Sequence, residues 1–209
     1  ENIISVKNNV LDMGEVSYLE QSLNEVSEFR YIFKNYISKI QDIKNNYIFT
    51  DKNLFNFFYC PVIYNYFPGA KIIHCIRNPL DNILSIYRTN FLKQNFSSSI
   101  IDITELYIYQ HHLMKYYKEL YGEIIYTYKY DDLVKNPSLE IPKLIEWLGW
   151  EWDDNFLNPH TNKRNVFTAS SSQVRKKINK KGIGTWRKYE EILKPAIDLI
   201  KKTKLLEDT

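Results

Sequence analysis

The sequence predicts an α/β domain built on a parallel sheet, and three observations carry that expectation. Three short runs, Tyr47–Thr50, Lys71–Ile76 and Ile124–Tyr128, are continuous in β-branched and aromatic residues rather than alternating with polar ones. Such runs mark strands covered on both faces. Helical stretches lie between them, and strands alternating with helices fold as parallel sheets with right-handed crossovers. The length, 209 residues, suits one domain with a substantial core, spanning residues 1–209.

The elements follow in order. Ser17 to Leu23 and Glu28 to Ile43 are predicted helical before the first strand. Asn53 to Tyr66 is predicted helical between the first and second strands, stopped by Phe67-Pro68-Gly69. Leu80 to Phe91 and Thr104 to Tyr121 separate the second strand from the third, and Pro137 to Leu148 and Lys188 to Lys202 follow. Asn78 and Pro79 are suited to open the helix after the second strand, the first as a cap and the second in the first turn.

Composition narrows the function. With 44% hydrophobic and 25% charged residues the chain is globular in type, not disordered or fibrous. No run approaches the roughly 18 apolar residues of a transmembrane helix, so no membrane partner is expected. The opening Glu1-Asn2-Ile3-Ile4 has no signal-peptide layout, and two cysteines, Cys60 and Cys75, are too few for a disulfide framework or a zinc site. Ile, Lys, Asn and Tyr make up 85 of the 209 residues while Ala occurs three times, a bias toward A/T-rich codons. The abundance of tyrosine and asparagine is therefore not binding chemistry. Glycine occurs six times, with only Gly182 and Gly184 close together, so no glycine-rich phosphate loop is visible. From Lys163 to Lys204 there are 13 basic and 3 acidic residues, net +10, a field that concentrates phosphate-bearing ligands and that alone suits nucleic acid equally well.

In parallel sheets ligands bind beyond the carboxyl ends of the strands. Those ends carry Asp51-Lys52, then Arg77-Asn78-Pro79, then Lys129-Tyr130-Asp131-Asp132. Ser85 returns to the angular position of Asn78, roughly 10 Å up the helix, so Arg77 and Ser85 are candidates to grip one phosphate from two sides. His111 and His112 are adjacent on a helix, point different ways and have no completing ligand at helical spacing, so no metal is assigned. His74 is expected to be a hydrogen-bonded core residue, and Trp147, Trp150 and Trp152 to pack the end of the Pro137 helix.

These residues resemble a known family. The stretch from Phe67 through Ile76-Arg77-Asn78-Pro79 to Ser85 is similar to the 3′-phosphate-binding segment of sulfotransferases, in which an Arg closes a strand and a Ser follows eight residues later. Tyr130-Asp131-Asp132-Leu133-Val134, with Pro137, resembles the family's Tyr-Glu-Asp-Leu-Val-x-x-Pro element. Ser170-Ser171-Ser172-Gln173-Val174-Arg175, followed by Gly184-Thr185-Trp186 and Tyr189, resembles the tail of the bacterial tetratricopeptide-linked and tyrosylprotein branches. Thr50-Asp51-Lys52 and Asp12-Met13-Gly14-Glu15 resemble the elements carrying the leaving-group lysine and the catalytic base. The likeness runs in order from about residue 1 to about residue 195.

The resemblance implies a three-layer α/β/α, P-loop NTPase-like sulfotransferase fold. It implies transfer of a sulfuryl group from 3′-phosphoadenosine 5′-phosphosulfate to a hydroxyl acceptor, without a metal. Glu15 is then the base and Lys52 the cation at the leaving 5′-phosphate. Arg77 and Ser85 hold the 3′-phosphate, Tyr130 lines the adenosine pocket, and Ser171, Arg175, Lys176 and Lys181 contact the nucleotide. The family's first strand and its 5′-phosphosulfate loop belong immediately before Glu1, so the chain reads as N-terminally truncated with that strand and loop absent, and as inactive by itself if so. Met13 and Asp51 stand where the animal secretory enzymes carry a disulfide, which favours a cytoplasmic setting. The acceptor stays open among protein tyrosine, carbohydrate and small molecules, with Asn95 to Ile101 and Glu151 to Asn165 the candidate specificity loops; oligomeric state is open too. Two rivals remain. A nucleotide-binding phosphotransferase lacks its Walker-type loop and a carboxylate pattern for Mg²⁺ here, and a non-enzymatic basic module for nucleic acid lacks a recognisable motif, so no nucleic-acid partner is expected.

Overall fold

The structure, a computed structural model, describes residues 1–41, 46–89, 95–162, 175–203 and 205. The chain divides into two compact units, each assembled from two separated stretches. The first joins Glu1–Ile72 to Ile141–Lys177, and the second joins Ile73–Glu140 to Ile178–Thr209.

The first unit is organised by β1 (Val10–Asp12) and β2 (Ile48–Thr50), which pair in parallel with Val10 opposite Ile48 and Asp12 opposite Thr50. The ladder runs on past the strands: Met13 N donates to Thr50 O (3.0 Å) and Lys52 N to Gly14 O (2.9 Å). Helices α1 (Tyr18–Glu25), α2 (Ile32–Ser38) and α3 (Cys60–Tyr66) accompany the pair. The core gathers Leu19, Ile32, Tyr36 and Ile40, with Leu11, Met13, Phe49, Val62, Ile63 and Phe67 packed against them. Ile32, Tyr36 and Ile40 recur every four residues, which sets them on one face of a helical path. Tyr36 meets Tyr18 and Phe67 edge-on at centroid distances of 6.4 and 5.2 Å, the arrangement that aromatic quadrupoles favour.

In the second unit β3 (Ile72–Ile76) pairs with β4 (Ile125–Lys129). The helices are α4 (Pro79–Thr89), α5 (Ile100–Tyr121), the short α6 (Tyr130–Lys135) and α8 (Glu190–Thr203), while α7 (Pro137–Leu148) carries the chain from this unit to the first. Leu80, Ile83 and Leu84 of α4 and Ile103 of α5 bury against Leu193, Ala196 and Ile200 of α8 and against Leu205. The α8 residues sit at i, i+3 and i+7, one apolar stripe. Burying each such leucine or isoleucine contributes about 1.5–3 kcal/mol, so this stripe is what holds the C-terminal segment in place. Asn78 Oδ1 accepts from Leu80 N (3.1 Å) and Asp81 N (3.2 Å), and Ser99 Oγ accepts from Asp102 N at the start of α5.

The three expected strands and the helices between them form, with four differences, the first being that of the expected helix Asn53–Tyr66 only α3 is α-helical, preceded by a 3₁₀ turn at Asn56–Tyr59. Val10–Asp12 is a strand that three residues of sequence do not announce. The stretch Glu28–Ile43 resolves into a 3₁₀ turn (Phe29–Tyr31) followed by α2, and its end at 42–43 lies outside the described residues, as do positions 90 and 91 of the next helix. The strands are also less covered than continuous apolar runs imply. Every residue of β2 is half-buried, Cys75 of β3 is exposed, and only Val10 and Ile125 among the strand residues are fully buried. Each described sheet has two strands, so each of these strands has one edge with no strand neighbour among the described residues. No helix among the described residues is long and apolar enough to cross a membrane.

Candidate functional site

In the second unit the carboxyl ends of β3 and β4 lead directly into Arg77 and Lys129. Arg77 follows the strand, and its guanidinium is fixed from two directions. Nη2 donates to Gly182 O at 2.6 Å, and the guanidinium carbon lies 5.0 Å from the centroid of the Tyr130 ring, within cation–π range. Its backbone carbonyl accepts from the Tyr107 hydroxyl at 3.0 Å. Arg77 Nε is buried with no hydrogen-bond partner among the described residues, as is Asp131 Oδ1. Both residues line one pocket together with Ile76, Asn78, Lys129, Asp132 and Lys135. An unpartnered buried donor on a cation costs more than an ordinary hydrogen bond returns, which makes Nε an open position for an anionic oxygen. Burial pushes the Asp131 carboxyl above its usual range against the opposing pull of Arg77.

Gly182 matters through its missing side chain. A Cβ there stands 2.9 Å from Arg77 Nη2, so any side chain at 182 forces the guanidinium to shift, while its 3.5 Å approach to the Tyr130 hydroxyl is ordinary contact. Sequence reasoning passed over Gly182, Tyr107 and Asp81. The closely spaced pair Gly182 and Gly184 is the signal available, since glycines are scarce elsewhere in the chain.

In the first unit, the extended β1–β2 ladder brings Gly14-Glu15 and Asp51-Lys52 side by side at the strand ends. Lys52 Nζ donates to Glu15 Oε1 at 2.5 Å, with both side chains partly open to solvent. Gly14 has φ +68°, a left-handed conformation that glycine adopts without strain. Asp51 is held beneath the pair: its carboxylate accepts from Asn53 N (3.0 Å), Asn56 Nδ2 (2.8 Å) and the Tyr36 hydroxyl (3.1 Å). Burial raises the Asp51 carboxyl above the usual range while those donors oppose the shift.

The other expected contacts are placed less closely. Ser85 is exposed on α4, and its carbonyl accepts from the Thr89 hydroxyl. Arg175 donates to the carbonyl of Asn162 in the first unit, Lys176 beside it is exposed, and Lys181 is exposed next to Gly182. Ser171 lies outside the described residues. His74 is half-buried, with Nε2 2.9 Å from Gln110 Nε2. Of the tryptophans, Trp147 packs under Lys71 Nζ at 4.7 Å, Trp150 under Lys7 Nζ at 5.6 Å, and Trp152 against Phe156.

Strand ends carrying cations that run straight into helices describe the α/β class whose ligands sit beyond the carboxyl edge of the sheet. Within that class the assignment is specific: residues 14–154 match the sulfotransferase family, and the chain belongs to it. An uncharacterized protein of Aquifex aeolicus (strain VF5) is 35% identical over 163 residues, which are 76% of this chain and 21% of that protein. Two solved structures share the fold. The sulfotransferase domain from the curacin biosynthetic pathway aligns with a TM-score of 0.57 at 16% identity, over 76% of this chain and 60% of that one. The sulfotransferase domain from the Synechococcus PCC 7002 olefin synthase aligns with a TM-score of 0.55 at 19% identity, over 76% and 55%. The chain thus spans about three fifths of the solved domains it resembles and about a fifth of its Aquifex relative.

Proposed function

We propose that the protein acts in sulfuryl transfer from 3′-phosphoadenosine 5′-phosphosulfate to a hydroxyl acceptor. The observation that carries the reading is Arg77: a guanidinium fixed by Gly182 O and Tyr130, with its Nε buried and unpartnered among the described residues. Such a group suits the 3′-phosphate of the nucleotide, and the close approach at Gly182 suits a backbone built around that grip. Tyr130 offers its ring to the adenosine, and Lys181, Lys176, Arg175 and Ser171 belong to the basic tail that supplies further contacts. Bound there, the nucleotide supplies the sulfuryl group and departs as adenosine 3′,5′-bisphosphate. Glu15 takes the proton of the acceptor hydroxyl, and Lys52 offsets the charge growing on the departing phosphate oxygen. Their mutual ion pair holds each side chain in place. The free thiols Cys60 and Cys75 suit a reducing, cytoplasmic setting.

Isothermal titration with adenosine 3′,5′-bisphosphate, and with adenosine 5′-monophosphate as control, tests this reading. The bisphosphate is expected to bind more tightly, and Arg77→Ala to remove that preference by about tenfold or more. An unmutated chain that binds neither nucleotide at millimolar concentration, or that prefers the monophosphate, overturns it.

A further inference from the structure

Asp81 is 1% exposed, in the first turn of α4, and carries a formal charge into the interior of the second unit. A carboxylate so placed is strongly disfavoured unless its oxygens are satisfied by hydrogen bonds. Its partners are three uncharged donors from one turn more than 100 residues away in sequence. Gly184 N donates to Oδ2 at 2.6 Å, and Thr185 Oγ1 and Trp186 N donate to Oδ1 at 2.8 and 2.9 Å. The two backbone donors belong to the start of the 3₁₀ turn Thr185–Tyr189, whose first amides have no partner within the turn itself. Gly184 adopts φ +69°, a left-handed conformation that glycine takes without strain and that turns its amide toward Asp81. Two residues upstream, Gly182 O receives Arg77 Nη2.

We infer that Asp81 is a positioning residue for Arg77: it anchors the turn 182–186, and that turn aims the guanidinium at the 3′-phosphate. The inference rests on the nucleotide reading above and deepens it. Electrostatics alone predict the opposite sign, because removing a negative charge near an anion site strengthens anion binding. Positioning predicts weakening.

The test compares unmutated chain, Asp81→Asn and Thr185→Val by titration with adenosine 3′,5′-bisphosphate and adenosine 5′-monophosphate. Asp81→Asn is expected to weaken the bisphosphate about tenfold and the monophosphate less than twofold, despite the lost negative charge. Thr185→Val removes one of the three donors without touching the carboxylate and is expected to act in the same direction, which covers the case that Asp81→Asn fails to fold. In an Arg77→Ala background, Asp81→Asn is expected to add no further loss. Stronger bisphosphate binding in Asp81→Asn, equal losses for both nucleotides, or additive losses with Arg77→Ala would overturn the inference. Should the unmutated chain bind neither nucleotide, the functional reading fails separately. The anchor is then read from amide exchange at Gly184 and Trp186, which must accelerate in Thr185→Val while α5 stays protected; unchanged exchange overturns the anchor as well.

Discussion

A single methyl group at position 182 isolates the aim of Arg77 from the stability of the fold. In Gly182→Ala the added Cβ stands 2.9 Å from Arg77 Nη2, closer than ordinary van der Waals contact, and 3.5 Å from the Tyr130 hydroxyl. The backbone at 182 needs no left-handed conformation, so the substitution brings no intrinsic strain, and it restricts the unfolded chain in a way that stabilises by about 0.4–1 kcal/mol. Against this stands the displaced guanidinium. Its hydrogen bond to Gly182 O is charge-assisted and contributes about 1.5–3 kcal/mol, and the Tyr130 contact adds about 0.5–2 kcal/mol. The Arg77 side chain is flexible at its far end and swings clear, recovering solvent contacts as it does, so the folded state loses only about 1 kcal/mol overall, a few degrees in thermal midpoint. The site loses more. A guanidinium that has swung clear no longer meets the 3′-phosphate in line, and bisphosphate affinity is expected to fall about tenfold or more, with monophosphate affinity nearly unchanged. Titration calorimetry with both nucleotides, run beside a thermal melt, measures the two quantities. Unchanged bisphosphate affinity refutes the argument that close approach at Gly182 sets the guanidinium.

Two further outcomes follow from other parts of the molecule. Lys52→Ala and Glu15→Gln are each expected to lower kcat for sulfuryl transfer by about a hundredfold or more while leaving bisphosphate affinity within about threefold; a loss confined to KM in steady-state assays would remove both residues from the chemistry. Burial, and secondarily His111, depresses His74 to about 4, against the Gln110 contact, so the folded chain binds fewer protons there than the unfolded one. Its stabilising contribution is therefore present above pH 6.5 and lost as pH falls toward 4, with about 2 kcal/mol gone by pH 5. Urea unfolding at pH 7, 6 and 5 reads that slope, and His74→Gln is expected to flatten it; an unchanged slope in that variant assigns the pH dependence to other groups.

Sequence periodicity found what repeats. The runs Lys71–Ile76 and Ile124–Tyr128 are long enough to declare themselves, and the cations after them were legible because parallel sheets direct ligands to their carboxyl ends. Val10–Asp12 stayed invisible because a three-residue strand has no period, and it forms only because Ile48–Thr50 pairs with it. Asp81 was unreadable for a different reason. In sequence it is a polar residue in a first helical turn, where aspartate is common for local reasons. Its role depends on donors more than 100 residues away that no local pattern marks. Tyr130 illustrates the converse: with 17 tyrosines in the chain, composition argued against reading it, and the guanidinium on its ring supports doing so.

The discontinuity of the second unit sets an order of events during synthesis. Leu80, Ile83, Leu84 and Ile103 leave the ribosome long before Leu193, Ala196 and Ile200, which cover them. At a translation rate of about 5–20 residues per second, the apolar faces of α4 and α5 wait several seconds for α8. Arg77 waits as well, because its carbonyl partner and the Asp81-anchored turn are made more than 100 residues later. A nascent or prematurely terminated chain therefore has an exposed sticky face and an unaimed guanidinium together. Emergence of α8 ends the window for chaperone capture and, with the turn just before it, assembles the support for the nucleotide-facing arginine.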